Sequence, residues 1–237
     1  AARYCQQCLR TPNGKVPMQY LHDRGLNGGT IAAWNIGFAP DDFHKLEEAL
    51  KQKGVTLDQM VKAGVSVKND RGQMYDRFRN RITFPISNYY GDVVGFTARV
   101  LDGSVEQAKY VNSPETTVYN KSRVLFGLHA AREAIRKADE VVVVEGQMDV
   151  IQAHQAGFLN TVASSGTALT ELHLKQLSRL TKNLKFCFDA DSAGQQASRR
   201  AGELALQQGF RLKIIVLTDV KDPDDLKYIN EIAEHLH

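Results

Sequence analysis

The stretch VVVVEGQMDV, Val141 to Val150, places four valines directly before a carboxylate, Glu145, and a glycine. Four consecutive β-branched residues have no polar face, so they predict a strand buried on both sides, as in a parallel sheet covered by helices. Glu145 then lies at the carboxyl end of this strand. Open α/β sheets bind ligands beyond the carboxyl ends of their strands, so the pattern favours a carboxylate that faces a ligand. An ordinary helix N-cap is the alternative interpretation.

The chain from Leu128 onward alternates between strand and helix patterns. Predicted strands are EVVVVE, NTVAS, LKFCFD and RLKIIVLT, and predicted helices are LHAAREAIRKA, MDVIQAHQAG, TELHLKQLSRL, GQQASRRAGELALQQG and DDLKYINEIAEHL. Strands and helices that alternate at this spacing indicate βαβ units. We therefore predict an α/β domain over residues 128–237, with a mainly parallel sheet covered by helices.

The first half of the chain has a different pattern. Residues 1–64 look helical, with KVPMQYLHDRG and APDDFHKLEEALKQKG each ending on glycine. Residues 65–112 contain the short β-branched or aromatic segments RITFPIS, GDVVGFTARVL and AKYVNS, which predict antiparallel strands. We therefore predict an α+β lobe over residues 1–127.

Composition limits the class of protein. The chain has 237 residues, 43% of them hydrophobic, which is enough to bury a core. Its apolar runs are too short to span a membrane and no signal peptide is visible, so we expect a cytoplasmic protein with no membrane partner. The sequence does not start with Met, which predicts a piece of a longer protein. Cys5 and Cys8 form one CxxC without a second pair, so we predict no zinc in this fragment.

Charge is distributed unevenly around a net value of +3. Residues 1–137 contain 20 Lys+Arg against 13 Asp+Glu, whereas residues 138–237 contain 10 against 14. A basic half beside an acidic half suits a metalloenzyme that handles phosphates, although a solvated charge asymmetry without function is also common.

The acidic half carries carboxylates at the ends of predicted strands. Asp189 is the last residue of LKFCFD, and Asp191 lies two positions later. Asp222 and Asp224 follow the next predicted strand. Together with Glu145, three strand ends therefore supply five acids. Five unneutralised carboxylates at one sheet edge would repel one another, and hard divalent cations such as Mg²⁺ relieve that repulsion. Alternatively, Asp191 and Asp224 each cap the following helix.

The basic half carries a row of arginines in YDRFRNR. Arg77, Arg79 and Arg81 alternate, so on a strand they would line one face. Arg99 and Lys109 lie on the neighbouring predicted strands. Guanidinium groups suit phosphate, so the row is a candidate phosphate-binding surface, with a solvated surface as the alternative.

Together these motifs carry a resemblance to a known family. EGQMDV, FDADSAG and KDPDD resemble the three signatures of the TOPRIM domain. DRFRNRITFPI, GFTARVL and KYVNSPET are similar to the basic motifs of bacterial DnaG-type DNA primases, and YLHDRGL and IGFAPDD resemble that family's opening segment. The similarity extends over nearly the whole chain.

The resemblance implies a primase core, a DNA-directed RNA polymerase that makes short RNA primers from ribonucleoside triphosphates on a single-stranded DNA template. It implies a catalytic set of Glu145, Asp189 and Asp191 and two or more Mg²⁺ or Mn²⁺ ions held by Glu145, Asp149, Asp189, Asp191, Asp222 and Asp224. It assigns nucleotide and nucleic-acid contacts to Arg77, Arg79, Arg81, Arg99 and Lys109. It also implies contact with a replicative helicase through a carboxyl-terminal domain outside this sequence.

The sequence departs from the family pattern at three positions. Gln147 stands where a tyrosine is usual, and Thr97 and Ala98 stand where two glycines precede the arginine that corresponds to Arg99. Side chains at 97 and 98 could restrict the approach of a ligand to the backbone.

Other functions stay open at this stage. They are another TOPRIM enzyme of the topoisomerase or nuclease kind, a haloacid-dehalogenase-type phosphatase, and a non-catalytic single-strand-binding module. The phosphatase needs its nucleophile on the first strand of its core, where this chain has Glu145. The binding module leaves five acids at strand ends unexplained.

Overall fold

The computed structural model describes residues 1–101, 108–188 and 192–215, with the side chains of residues 192–198 left out. The chain divides into two compact units. The first unit comprises Ala1–Ile86 and Asp92–Asn120, and the second comprises Ser87–Gly91 and Lys121–His237. The assignment of separate functions to residues 1–127 and 128–237 stays a prediction.

The first unit begins with short helices. They are α1 (Ala2–Leu9), α2 (Lys15–Asp23), α3 (Gly28–Ala33), α4 (Lys45–Lys51) and α5 (Leu57–Lys62). Side chains fix where some of them start: Asn27 Oδ1 accepts a hydrogen bond from Thr30 N at 2.8 Å at the start of α3. Thr56 and Gln59 form a capping box at the start of α5.

Strands of the first unit form two sheets. The strands are β1 (Gly37–Ala39), β2 (Ser66–Lys68), β3 (Met74–Asp76), β4 (Arg81–Ser87), β5 (Val93–Val100) and β6 (Tyr110–Asn112). One sheet has the order β1-β4-β5-β6 and the other pairs β2 with β3. The β1–β4, β5–β6 and β2–β3 pairs are antiparallel. The sequence predicted antiparallel pairing for the strands within residues 65–112, and the β5–β6 and β2–β3 pairs confirm it.

One strand lies where the sequence predicted only helices. β1 falls within residues 1–64 and pairs with β4, with Gly37 opposite Thr83. Its position is set by packing: a Cβ on Gly37 would lie 2.6 Å from the backbone carbon of Cys5, so only glycine lets β1 approach α1 this closely. The prediction missed β1 because this contact joins segments about thirty residues apart.

One hydrophobic cluster of the first unit joins residues from its helices, its strands and their connections. Its buried residues are Cys5, Ala39, Leu46, Leu50, Met60, Val65, Phe78, Phe96 and Ala98. Cys5 is among them, and burial raises the pKa of its thiol to about 12. Ala98 is fully buried in this core, so its methyl group fills core space.

The second unit alternates helices and strands as predicted. In chain order they are α6 (Leu128–Ala138), β7 (Val141–Val144), α7 (Gln147–Gln155), β8 (Thr161–Ala163), α8 (Glu171–Leu177), β9 (Asn183–Cys187), α9 (Ser192–Gln207) and β10 (Arg211–Ile215). The predicted last helix, DDLKYINEIAEHL, lies outside the described residues.

The four described strands of the second unit form a parallel sheet. Its order is β10-β9-β7-β8, and each adjacent pair runs in the same direction. All four valines of β7 have no solvent exposure, which confirms a strand covered on both faces. The predicted α/β fold is therefore confirmed. Among the helices of residues 1–101, 108–188 and 192–215, none has the length and apolar character needed to cross a membrane.

Candidate functional site

The carboxyl ends of β7, β9 and β10 lie side by side, because these three strands are neighbours and parallel. The sequence placed its acids after these three strands. Glu145 directly follows β7. The strand order therefore brings together the carboxyl ends of the three strands after which the sequence predicts carboxylates.

Glu145 lines a cavity of about 560 Å³ at this edge of the sheet. Other residues of its wall come from the segment after β8, from the end of β9 and from α9, and include Ser164, Thr167, Phe188 and Arg200. Arg200 brings a positive charge to the wall of the same cavity, so ionic side chains of both signs line it. Sequence analysis did not identify Arg200.

Asp149, predicted to help bind metal, has a structural contact. It lies in the first turn of α7, is 7% exposed, and its Oδ2 accepts a hydrogen bond from Gly146 N at 2.9 Å. This is a capping interaction at the amino end of the helix. Asp149, which follows Glu145 by four residues, therefore belongs to the helix N-cap network that was the alternative interpretation of this stretch.

The other four predicted metal ligands, Asp189, Asp191, Asp222 and Asp224, lie outside the described residues. Within residues 1–101, 108–188 and 192–215, no three His, Cys, Asp or Glu side chains are grouped as metal ligands. The complete set of metal ligands stays a prediction, with Glu145 and Asp149 as its described members.

A tight turn next to Glu145 was missed by the sequence analysis. After β8 the backbone takes two consecutive positive φ values, 51° at Ser165 and 79° at Gly166. Thr167 Oγ1 donates to Ser164 O at 3.0 Å and closes the turn. The available signal was the run of small residues SSGT just after a strand adjacent to β7, at the sheet edge where α/β proteins bind ligands.

The arginine row of the first unit is not one strand face. β3 ends at Asp76 and β4 begins at Arg81, so Arg77 and Arg79 lie in the connection between two strands. The prediction that the three arginines alternate along a strand is wrong. The backbone turns at Asn80, where φ is 49°, and this breaks the extended conformation that the prediction required.

Each arginine of this segment has its own surroundings. Arg79 Nη1 donates to Asp76 O at 2.7 Å, and its guanidinium carbon lies 4.4 Å from the centre of the Phe43 ring. Arg81 is 5% exposed and donates to Ala108 O at 3.0 Å. Arg77 is half-buried, and this burial lowers the pKa of its guanidinium. Of the three, Arg81 is held by the fold most completely.

Arg99 is held between two tyrosines. It lies opposite Tyr110 in the β5–β6 register, and its Nη1 donates to Tyr110 Oη at 3.0 Å. Its guanidinium carbon is 5.0 Å from the Tyr20 ring centre and 5.4 Å from that of Tyr110. Lys109 is exposed and immediately precedes β6. The sequence analysis assigned Arg99 and Lys109 but no role to Tyr20.

Two of the departures from the family pattern lie beside Arg99. Thr97 is 1% exposed and Ala98 is fully buried, so neither side chain extends into solvent. The third departure, Gln147, is 5% exposed at the first residue of α7. The described side chains at all three positions are packed within their own units.

Comparison with known proteins agrees with this architecture. Residues 4–132 match the family described as DNA primase catalytic core, N-terminal domain, and residues 142–227 match the Toprim-like family. A DNA primase of Legionella pneumophila is 42% identical over 228 residues, covering 95% of this chain and 39% of the relative. The chain thus spans about two-fifths of the length of the curated relatives that it matches.

Solved structures give the same result over almost the entire chain. The RNA polymerase domain of Mycobacterium tuberculosis primase DnaG has a TM-score of 0.89 at 36% identity, covering 99% of this chain and 78% of that one. A DnaG primase catalytic domain bound to single-stranded DNA has a TM-score of 0.86 at 38% identity, covering 99% and 74%.

The parallel sheet with a carboxylate beyond β7 places the second unit in the Toprim-like class. This unit follows an amino-terminal unit of the kind found in primase catalytic cores. The chain belongs to the family of DnaG-type DNA primase catalytic cores. The resemblance read from the sequence motifs is confirmed.

Proposed function

We propose that this chain is the catalytic core of a DNA primase, which synthesises short RNA primers on single-stranded DNA from ribonucleoside triphosphates. The observation that carries the proposal is the position of Glu145, at the carboxyl edge of a parallel Toprim-like sheet and in the wall of a cavity. Membership of the primase family and the single-stranded DNA bound to a structural relative support it.

The donor chemistry of Glu145 fits a divalent cation, because carboxylate oxygens are preferred ligands of Mg²⁺ and Mn²⁺. Asp189, Asp191, Asp222 and Asp224 would complete the site, with Asp149 as a helper. A bound metal would lower the pKa of the primer 3′-hydroxyl and neutralise charge on the triphosphate. We assign two or more ions to the site, as Mg²⁺ or Mn²⁺.

The protein's own side chains would bind and orient the reactants. Glu145 would help to hold the metal beside the cavity that it lines. Arg77, Arg79, Arg81, Arg99 and Lys109 would contact phosphates of the nucleotide, template and primer, since guanidinium groups pair with phosphate oxygens in a fixed geometry. Most of the rate enhancement then comes from positioning and charge neutralisation. The helicase contact is assigned to residues outside this sequence.

The test is an incubation of the protein with single-stranded DNA, ribonucleoside triphosphates and Mg²⁺ or Mn²⁺, followed by detection of labelled RNA. Glu145→Gln should lower synthesis by a factor of about 100 or more, because it removes a metal ligand. Its affinity for single-stranded DNA should stay the same or rise slightly, since one negative charge is lost.

A matched control is Glu140→Gln, which makes the same charge change just before the opposite end of β7. Glu140 pairs with Lys185 at 2.8 Å, so melting temperatures of both variants must accompany the assay. Glu140→Gln should retain synthesis. Full synthesis by Glu145→Gln would refute the assignment. DNA binding by a wild type that makes no RNA with either metal would favour the single-strand-binding module.

A further inference from the structure

Arg99 is bracketed by aromatic rings from two separate elements of the first unit. Tyr110 faces it across the β5–β6 pair, and Tyr20 reaches it from α2. The distances from the guanidinium carbon to the ring centres are 5.0 Å for Tyr20 and 5.4 Å for Tyr110. Both lie within the range of an attractive cation–π interaction. The arginine side chain is therefore held on two sides.

The contacts with two rings favour phosphate binding by Arg99. A free arginine side chain samples many rotamers and must lose that freedom when it grips a phosphate. The two rings and the bond to Tyr110 Oη at 3.0 Å fix the guanidinium before any ligand arrives. Pre-organisation of this kind increases affinity without adding a contact to the ligand.

The ring of Tyr20, and not its hydroxyl, makes this contact. Tyr20 Oη is buried and has no hydrogen-bond partner among the residues that the structure describes. Burial raises the pKa of the hydroxyl, while Arg99 and Arg24 act in the opposite direction. A buried hydroxyl without a partner does not stabilise the fold. Removal of the hydroxyl alone should therefore leave the bracket intact.

We propose that Tyr20 is a positioning residue for nucleotide recognition, whose ring together with that of Tyr110 holds Arg99 in the conformation that engages the triphosphate. The proposal rests on the function proposed above, in which Arg99 contacts nucleotide phosphates. Tyr20 itself does not touch the nucleotide. It acts through Arg99, so its effect must vanish when Arg99 is removed.

The experiment measures KM for ATP and kcat in primer synthesis for Tyr20→Phe, Tyr20→Leu, Arg99→Ala and the Tyr20→Leu/Arg99→Ala double variant. Tyr20→Phe keeps the ring and should keep the wild-type KM. Tyr20→Leu should raise KM about fivefold with kcat within about twofold of wild type. Arg99→Ala should raise KM at least as much, and Tyr20→Leu should add nothing in that background.

A second measurement detects the contact between the tyrosine rings and Arg99 without an activity assay. The NMR signal of the Arg99 Nε–H group should carry a ring-current shift that Tyr20→Phe preserves and Tyr20→Leu reduces. Addition of ATP with Mg²⁺ should perturb this signal in the wild type and in Tyr20→Phe. If Tyr20→Leu does not fold, Tyr20→Met provides an unbranched side chain without a ring at the same helical position.

Tyr119→Leu is the control for loss of a buried tyrosine in the same unit. Tyr119 is 5% exposed and packs beside Gly95, so its replacement should lower the melting temperature and leave KM unchanged. A wild-type KM in Tyr20→Leu beside a raised KM in Arg99→Ala would overturn the positioning role and leave the primase function standing. An equal rise from Tyr20→Leu with and without Arg99 would also overturn it.

Discussion

Asp149 Oδ2 accepts a hydrogen bond from the backbone N–H of Gly146 at 2.9 Å, directly beside Glu145. One carboxylate oxygen thus closes the amino end of α7, while the family resemblance assigns the same side chain to metal binding. The two roles use different properties: capping needs an acceptor oxygen, and metal binding also needs the negative charge.

Replacement of Asp149 by Asn separates these roles. Without metal, Asp149→Ala should lower the free energy of unfolding by about 1 kcal/mol, whereas Asp149→Asn retains an acceptor and should stay close to wild type. Mn²⁺ should raise the melting temperature of the wild type by binding the folded state, and Asp149→Asn should reduce this rise. A full Mn²⁺-dependent rise in Asp149→Asn would restrict Asp149 to capping.

We expect the stability of the second unit to depend on pH, because it contains a buried histidine, His173. His173 Nδ1 accepts from Thr170 N at 3.3 Å and its Nε2 lies 3.0 Å from Lys121 O. Nε2 therefore carries the proton and donates it. His173 is fully buried, and burial lowers its pKa from 6.5 to about 4. Folding therefore favours the neutral form of the His173 ring.

The sign of the effect follows from proton uptake. Above pH 6.5 the histidine is neutral in both states, and between pH 6.5 and pH 4 the unfolded chain binds a proton that the folded protein does not. The wild type should therefore lose up to about 3 kcal/mol of stability relative to His173→Gln as the pH falls through this window. His173 forms a capping box with Thr170 at the start of α8, and Gln is a usual residue at that position and does not titrate. Urea unfolding from pH 4 to pH 8 measures both proteins, and parallel curves would contradict the prediction.

Because β1 lies so close to α1, we expect a methyl group added at Gly37 to destabilise the protein. Ala at position 37 would place Cβ 2.6 Å from the backbone of Cys5 and 2.7 Å from Gln6 N. Gly37→Ala should lower the free energy of unfolding by about 2 to 3 kcal/mol, because α1 must move. Gly28→Ala, at a helix position where the added Cβ meets nothing within 4 Å beyond its chain neighbours and its own helix, should be neutral or slightly stabilising. Equal urea midpoints for the two variants would show that α1 moves without a loss of stability.

The sequence by itself determined the parts of this protein that depend on local patterns. Four β-branched residues in β7 predicted a strand buried on both faces, and the strand–helix alternation after Leu128 predicted the parallel sheet. The position of Glu145 followed from the same pattern, because a residue just after a strand must lie at its carboxyl end. Short-range periodicity is sufficient for each of these features.

Tertiary structure alone decided the features that join distant segments. It placed β1 against α1, ended the strand conformation at Asp76 and resumed it at Arg81, and brought the ring of Tyr20 to Arg99, 79 positions later in the chain. The residue pattern within one segment carries no information about these contacts. They form because side chains from separate elements must fill one common core at high density, and that packing depends on the whole fold.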